Sequence, residues 1–372
     1  MFKLIPRENV SPVLSLLGPL FSIGFTMLVG GILFYFLGVD PFAAIKMIFW
    51  DPLMSETFST YSIPQIFIKG APLILIALGL SVGFKANVWN IGAEGQYIMG
   101  AIFGASFALS LYPLESIFIF PTMVLMGIFG GSLWSMIPAL LKVKFNVNEI
   151  LVSLMLVYVA EQLLALASLG FLRNPDGAGF PGSRNLSQYS SASNSELIMG
   201  TGIHLGVLLS LLMVVFFYVL LFRHSLGFKI KLLGNSPKAS GFSGDNPNKL
   251  IFLCLTLSGS LAGLAGIMEV AGPAGQINID FNVGYGFTAI IVAFLGRLNP
   301  IGIFFAGIVM ALTYVGGELT QFMLNLPAAA IQVFQGMLLF FLLSFDLFVH
   351  YKIKLKGKER SEWIFRKLIL LS

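Results

Sequence analysis

The chain alternates long apolar runs with short clusters of polar, glycine and proline residues. The runs last about 16–25 residues, where a strand of a membrane barrel needs only about 10, alternating in character. This pattern predicts helices at residues 13–37, 66–83, 96–111, 117–141, 149–171, 204–222, 250–271, 286–296, 301–316 and 329–349. At about 1.5 Å per residue, segment 286–296 falls short of the ~30 Å of hydrocarbon in a bilayer. It reads as a half-helix, or it joins the next segment across the Leu298-Asn299-Pro300 break. The expected fold is all-α, a polytopic transmembrane helical bundle of about ten spans that includes broken or half helices. Residues 1–350 are expected to form the transmembrane domain and residues 351–372 a basic cytoplasmic tail.

Composition explains why lipid is the solvent. Apolar residues make up 57% of the chain and charged residues 10%, against about 25% charged in soluble domains. A water-facing surface for 372 residues cannot be built from so few charges. The net charge of +5 does not point to nucleic acid, because the basic residues flank the apolar runs. With the N-terminus inside, all but four of the 22 Lys and Arg fall on the cytoplasmic side; Lys46, Lys69, Arg173 and Arg184 remain outside. Both termini are therefore expected in the cytoplasm, and the protein in the cell (cytoplasmic) membrane as a multi-pass chain. The run from Val13 to Leu37 is too long for a signal-peptide core and reads as a retained span. Cys254 lies inside an apolar run and reads as a packing residue. The serine- and glycine-rich connection 172–203 is expected to be a mobile outer loop, and the cationic tail to rest on anionic headgroups.

Three segments carry candidate chemistry. The first is NVWNIGAEGQ at 87–96, between two apolar runs. Asn90 is a candidate N-cap for the following helix, with Glu94 in its first turn. If this break lies within the membrane it must line a cavity or be buried in protein. Asn87, Asn90, Glu94 and Gln96 are then candidates for a translocation pathway; a helix cap at the membrane surface explains them equally well. The second segment is the basic connection 223–249. Ser236-Pro237 starts a helix, since serine caps free N–H groups and proline is tolerated at the first helical position. Asn246-Pro247 restarts one by the same logic, leaving a short helix at about Pro237 to Phe242. The third runs from Leu257 to Pro300. Gly259 and Gly263 are four apart, as are Gly100 and Gly104, and Gly127 and Gly131; this spacing lets helices approach closely in lipid. Glu269, near a span end, is a further pathway candidate, whereas packing or interface roles are expected for Glu161 and Asp346. Trp89, Tyr97, Phe281 and Tyr285 offer faces for a base or sugar, although such residues usually face lipid or the interface.

Some chemistry is absent. The sequence has no G-x-x-x-x-G-K-[ST] phosphate loop. With one Cys and three His it offers no metal-ligand cluster. No catalytic residue, metal or cofactor is expected, and an enzyme is disfavoured.

At these residues the chain resembles the permeases of ABC importers for nucleosides and simple sugars. The resemblance rests on NVWNIGAEGQ, FNVNEILVSLMLVYVAEQLL at 145–164, GNSPKASGFSG at 234–244, LAGLAGIMEVAG and GFTAIIVAFLGRLNPIGI, in that order. Chain length and the GAEGQ wording are closer to the nucleoside branch, whose substrate is delivered by a lipoprotein. The resemblance implies a second, related permease (a heterodimer), a cytoplasmic ABC ATPase and an extracytoplasmic substrate-binding lipoprotein. Gly234, Asn235, Ser236, Pro237, Lys238, Ala239 and Gly241 match the loop that engages the ATPase. Segment 87–96 matches one near the translocation path. A nucleoside is the expected substrate and a simple sugar the alternative. An ion-coupled secondary transporter using Glu94 or Glu269 is a further reading.

Overall fold

The computed structural model describes residues 2–7 and 12–355. Its helices, in chain order, are α1 (Pro12–Phe36), α2 (Pro41–Phe49), α3 (Asp51–Met54), α4 (Ser59–Lys85), α5 (Ala93–Ser110), α6 (Ile119–Phe145), α7 (Glu149–Leu169), α8 (Leu205–Phe222), α9 (Ser225–Asn235), α10 (Pro237–Phe242), α11 (Pro247–Ala271), α12 (Tyr285–Leu295), α13 (Pro300–Leu324) and α14 (Ala328–His350). Four short strands accompany them: β1 (Phe2–Pro6), β2 (Glu196–Ile198), β3 (Ile203–His204) and β4 (Tyr351–Leu355).

Among the described residues, 8 helices are long and apolar enough to cross a membrane: α1, α4, α6, α7, α8, α11, α13 and α14. Predicted segment 96–111 becomes α5, whose first turn carries Glu94 and Gln96 and so interrupts the apolar run. Segment 286–296 becomes the 11-residue α12, about 16 Å long at 1.5 Å per residue and thus a half-helix. Two helices outrun their expected bounds. α4 starts at Ser59 rather than 66, and α13 runs to Leu324 rather than 316. Polar residues at those ends lowered the hydropathy without breaking the helix. Glu318, in the α13 extension, pairs with Lys69 of α4 at 2.7 Å.

The chain divides into two compact units, Met1–Ile45 with Gln321–Ser372, and Lys46–Thr320. In the first, α1 packs along α14. Phe34 stacks on Phe334 at 5.7 Å, and Phe25 meets Phe341 edge-on at 5.0 Å. β1 pairs antiparallel with β4, Phe2 opposite Leu355 and Pro6 opposite Tyr351. The first five residues of the expected tail are therefore a strand; residues 356–372 lie outside the described residues.

The second unit is built around α11, which packs against α4, α5 and α6. The predicted glycine pairs meet one another there. A Cβ on Gly263 would strike the Gly127 carbonyl oxygen and lie 2.9 Å from the Gly131 Cα; one on Gly100 would strike the Gly263 backbone. Any larger side chain at this crossing forces the helices apart, at about 1–3 kcal/mol for overpacking. Outward, α7 exposes Leu151, Met155 and Leu166, and α8 exposes Leu212, Val215 and Phe216, as suits lipid. Cys254 is buried. The 172–203 connection is more firmly held than expected. Leu186 and Ala192 are fully buried. The Ser183 and Leu186 N–H groups donate to the Ile277 and Gly275 carbonyls at 2.8 and 2.6 Å.

Candidate functional site

The 87–96 segment turns α4 into α5 through a compact knot of hydrogen bonds. Asn87 takes a left-handed conformation (φ 56°) and is exposed. Its Oδ1 accepts the Trp89 indole N–H at 3.2 Å. The Trp89 ring packs on Phe84 and Phe294, at 5.0 and 5.8 Å between centroids. Asn90 is not the N-cap of α5; Gly92 holds that position. Instead, Asn90 Oδ1 accepts from Gly92 N at 3.0 Å, closing a local turn. It also exchanges two bonds with Gln96: Nδ2 donates to Oε1 at 2.8 Å, and Gln96 Nε2 donates back at 3.0 Å. Asn90 Nδ2 also donates to Ser258 Oγ of α11 at 2.9 Å. Asn90 and Gln96 are buried.

Glu94 is fully buried and reaches out of its own helix. Its Oε1 accepts the Gly284 N–H at 3.1 Å, and its Oε2 accepts the Gly286 N–H. The carboxylate thereby caps α12 from α5, where helix ends leave N–H groups free and the helix dipole favours negative charge. Two glycines permit this. Gly284 is left-handed (φ 82°), and a Cβ on Gly286 would strike the Glu94 backbone and lie 2.7 Å from Oε2. Nearby, Glu161 of α7 accepts from Asn282 Nδ2 at 2.8 Å. Tyr97 lies parallel to Phe281 at 5.1 Å and edge-on to Tyr285 at 6.0 Å. These aromatic faces are therefore occupied by one another.

The second candidate segment forms the short helix expected. Ser236 Oγ accepts the Ala239 N–H at 3.3 Å and Pro237 opens α10. Asn246 Oδ1 accepts from Asn248 and Lys249 at 3.0 and 3.3 Å and starts α11. Pro237, Lys238 and Gly241 are exposed, as are Asn235 at the end of α9 and Phe242. Lys229 of α9 pairs with Asp245 at 2.6 Å, bracing the turn after α10. Gly234 is a contact point: a Cβ there would strike the Lys85 carbonyl oxygen and lie 3.1 Å from its carbon. So α9, which carries α10, rests on the end of α4 just before Asn87.

Glu269 stands apart from this knot. It follows Ser258 by eleven residues on α11, about 16 Å along the axis. It is half-buried and lines a small cavity with His204 and Met268. Sequence reasoning missed Ser258, Asn282, Gly284, Gly286 and the contact of Gly234 with Lys85. The NVGYGF run at 282–287 was the available signal, a helix start without a Ser, Thr or Asp cap of its own.

A helical chain with long apolar spans, a half-helix capped from a neighbouring helix and an exposed helix on a braced connection is a multi-pass membrane protein. The chain belongs to the family described as the permease component of the branched-chain amino acid transport system, whose profile matches residues 62–343. It is similar to the glucose ABC transporter permease protein TsgB13 of Haloferax volcanii, 31% identical over 96% of this chain and 95% of that protein. It is also similar to the nucleoside ABC transporter permease protein NupB of Lactococcus lactis, 27% identical over 87% of this chain and 89% of that one. The guanosine ABC transporter permease protein NupP of Bacillus subtilis is 25% identical over 92% of this chain and 97% of its own. The same two bacteria each have a second relative, NupC and NupQ, matching 69% and 70% of this chain. The protein is thus an ABC transporter permease, multi-pass in the cell membrane and not itself an enzyme.

Proposed function

We propose that this permease imports a nucleoside, driven by ATP hydrolysis on a separate subunit that grips α10. The observation that carries the reading is the Gly234–Lys85 contact. It seats α9, which carries the exposed, side-chain-capped α10, on the end of α4, next to the Asn90–Glu94 knot. A motor that displaced α10 would load that knot directly. Asn87, Asn90, Glu94, Gln96 and Glu269 border the pathway in this reading, with Glu94 holding the half-helix α12 in one of its positions. Pairing of β1 with β4 supports residues 2–6 and 351–355 lying on one side of the membrane, which the Lys and Arg bias makes the cytoplasm in this reading. NupB and NupP support the nucleoside, and their matches are longer than those to NupC and NupQ. A shorter, related permease is the expected partner, with a substrate-binding lipoprotein outside. The 31% identity to TsgB13 favours a second reading in which the solute is a simple sugar.

The test is uptake by the reconstituted complex of both permeases, ATPase and binding protein. Tritiated uridine or guanosine is expected to accumulate only with ATP, and excess glucose is expected not to compete. Competition by glucose alone selects the sugar reading. Uptake by this chain alone, driven by an ion gradient without nucleotide, refutes the proposal.

A further inference from the structure

At the end of α11 remote from α10, a cavity of about 550 Å3 opens beside α4 and the β2–β3 segment. Its wall carries Tyr61 and Gln65 of α4, Ser193, Asn194 and Ser195 of the long connection, and His204. His204 directly precedes α8 and is only 7% exposed. Neither ring nitrogen makes a hydrogen bond of good geometry, although the Gly202 carbonyl lies close to the ring; both nitrogens are covered by protein, and the ring does not cap α8. Buried polar groups are nearly always well paired, so an imidazole with no bond of good geometry calls for an explanation. Its place is built: a Cβ on Gly272 would strike the ring at Cδ2 and lie 2.7 Å from Nε2. The same ring also lines the smaller cavity that contains Glu269. Asn194 beside it is spent, accepting from Leu205 N at 3.3 Å and donating to the Met268 carbonyl at 3.5 Å.

The wall chemistry selects the ligand. The imidazole offers one donor and one acceptor, Gln65 an amide, the serines hydroxyls, and Tyr61 an exposed aromatic face. Glu196 is the one charged residue in the wall, which disfavours phosphate or carboxylate ligands. A cavity of this volume lies in the range of small-molecule sites, about 300–1,000 Å3. We propose that it is a binding subsite for a neutral sugar ring, the ribose of a nucleoside or a free hexose, with His204 as the polar anchor once its ring turns from the Gly202 carbonyl toward the ligand. The subsite rests on the substrate reading above and adds to it a place and an anchoring residue.

Labelling protection tests it on the assembled complex in nanodiscs, where both faces are accessible. Cys254→Ala removes the native thiol, and Ser195→Cys places a reporter on the rim. Uridine, guanosine or glucose at millimolar concentration is expected to slow maleimide labelling about fivefold, as for a ligand at about four times its Kd. His204→Leu should abolish that protection and His204→Gln, which keeps a donor and an acceptor, should restore part of it. If His204→Leu does not assemble, Gln65→Ala on the rim serves in its place and should weaken protection. No protection by any of the three, in a complex that transports one of them, overturns the subsite but leaves the substrate reading intact. Full protection retained in His204→Leu, or in Gln65→Ala where it stands in, overturns the assignment. A complex that transports none of them overturns the substrate reading and the subsite with it.

Discussion

Replacing Glu94 with glutamine tests the α5–α12 joint with almost no change in volume. In the native chain both carboxylate oxygens accept N–H groups, from Gly284 and Gly286. Glutamine keeps one acceptor and turns an NH2 group against the second N–H. One hydrogen bond to a charged group is lost, about 1.5–3 kcal/mol. The charge at the α12 N-terminus is lost too, about 0.3–2 kcal/mol depending on burial. Glu94 is fully buried, so glutamine also escapes the cost of burying a charge, which offsets the dipole gain; the lost bond then sets the figure, about 1.5–3 kcal/mol. At ~2 °C per kcal/mol, the lower figure for large domains, the purified chain in detergent should melt about 3–6 °C lower. Glu161→Gln is the control. Its amide oxygen can still accept from Asn282, so the loss should stay below about 1 kcal/mol. Scanning fluorimetry of both variants beside the parent decides the matter. A Glu94→Gln midpoint within about 1 °C of the parent, or a loss matched by Glu161→Gln, refutes the capping account.

Three further outcomes follow from the same contacts. Gly234→Val puts a branched side chain against the Lys85 carbonyl; the protein should still insert, but solute moved per ATP hydrolysed should fall several-fold in the reconstituted complex. Pro237→Gly or Lys238→Glu should reduce stimulated ATPase activity and uptake together while membrane insertion, scored by yield, is unchanged; normal uptake in both would remove α10 from coupling. Glu115 accepts from Ser190 and Ser191 at 2.5 and 2.7 Å, and these bonds hold its carboxyl below the ordinary range. Its stabilisation of the loop is then complete above the unfolded-state value and fades as pH falls through the depressed one. Proteolysis of residues 172–203 should therefore accelerate only in acid, and NMR titration should show the Glu115 pKa rising when both serines become alanine.

How far the sequence reached depended on whether the deciding contact was local. The capped helix at Pro237–Phe242 was legible because Ser236, Pro237, Asn246 and Pro247 act on their own next turns. The glycine spacing announced close crossings, and the half-helix followed from its length. By contrast, Glu94 looked like a first-turn acid of α5, yet it caps a helix that begins 191 positions later, at Tyr285. Nothing between 94 and 285 encodes that partnership except glycines that leave room for it. Asn90 was misread for a related reason. Its amide is satisfied by Gln96 and Ser258, and a reciprocal amide pair has no one-dimensional signature. The 172–203 connection looked loose because its anchors, Glu115 and the backbone of residues 271–277, lie far off in sequence.

The two polar regions differ in whether their hydrogen-bonding capacity is already used. Asn90, Gln96 and Glu94 bond to the chain itself, and Tyr97 stacks on Phe281, although its buried hydroxyl has no partner among the described residues. A solute could engage these groups only by breaking the joint they form, exchanging internal bonds for external ones at little net gain. That suits a hinge better than a recognition site. His204 is the reverse case: its nitrogens make no hydrogen bond of good geometry, and the residue lines a cavity. A transporter needs both properties, but weak binding and stable joints make opposite demands on one set of side chains. The proposed subsite near one end of α11 and a hinge against Ser258 further along the same helix would let each be tuned separately. The rigid span between Ser258 and Glu269 is then the part through which filling one region could bias the other. A substitution that loosens the glycine crossing at Gly263 should weaken that linkage before it affects either end.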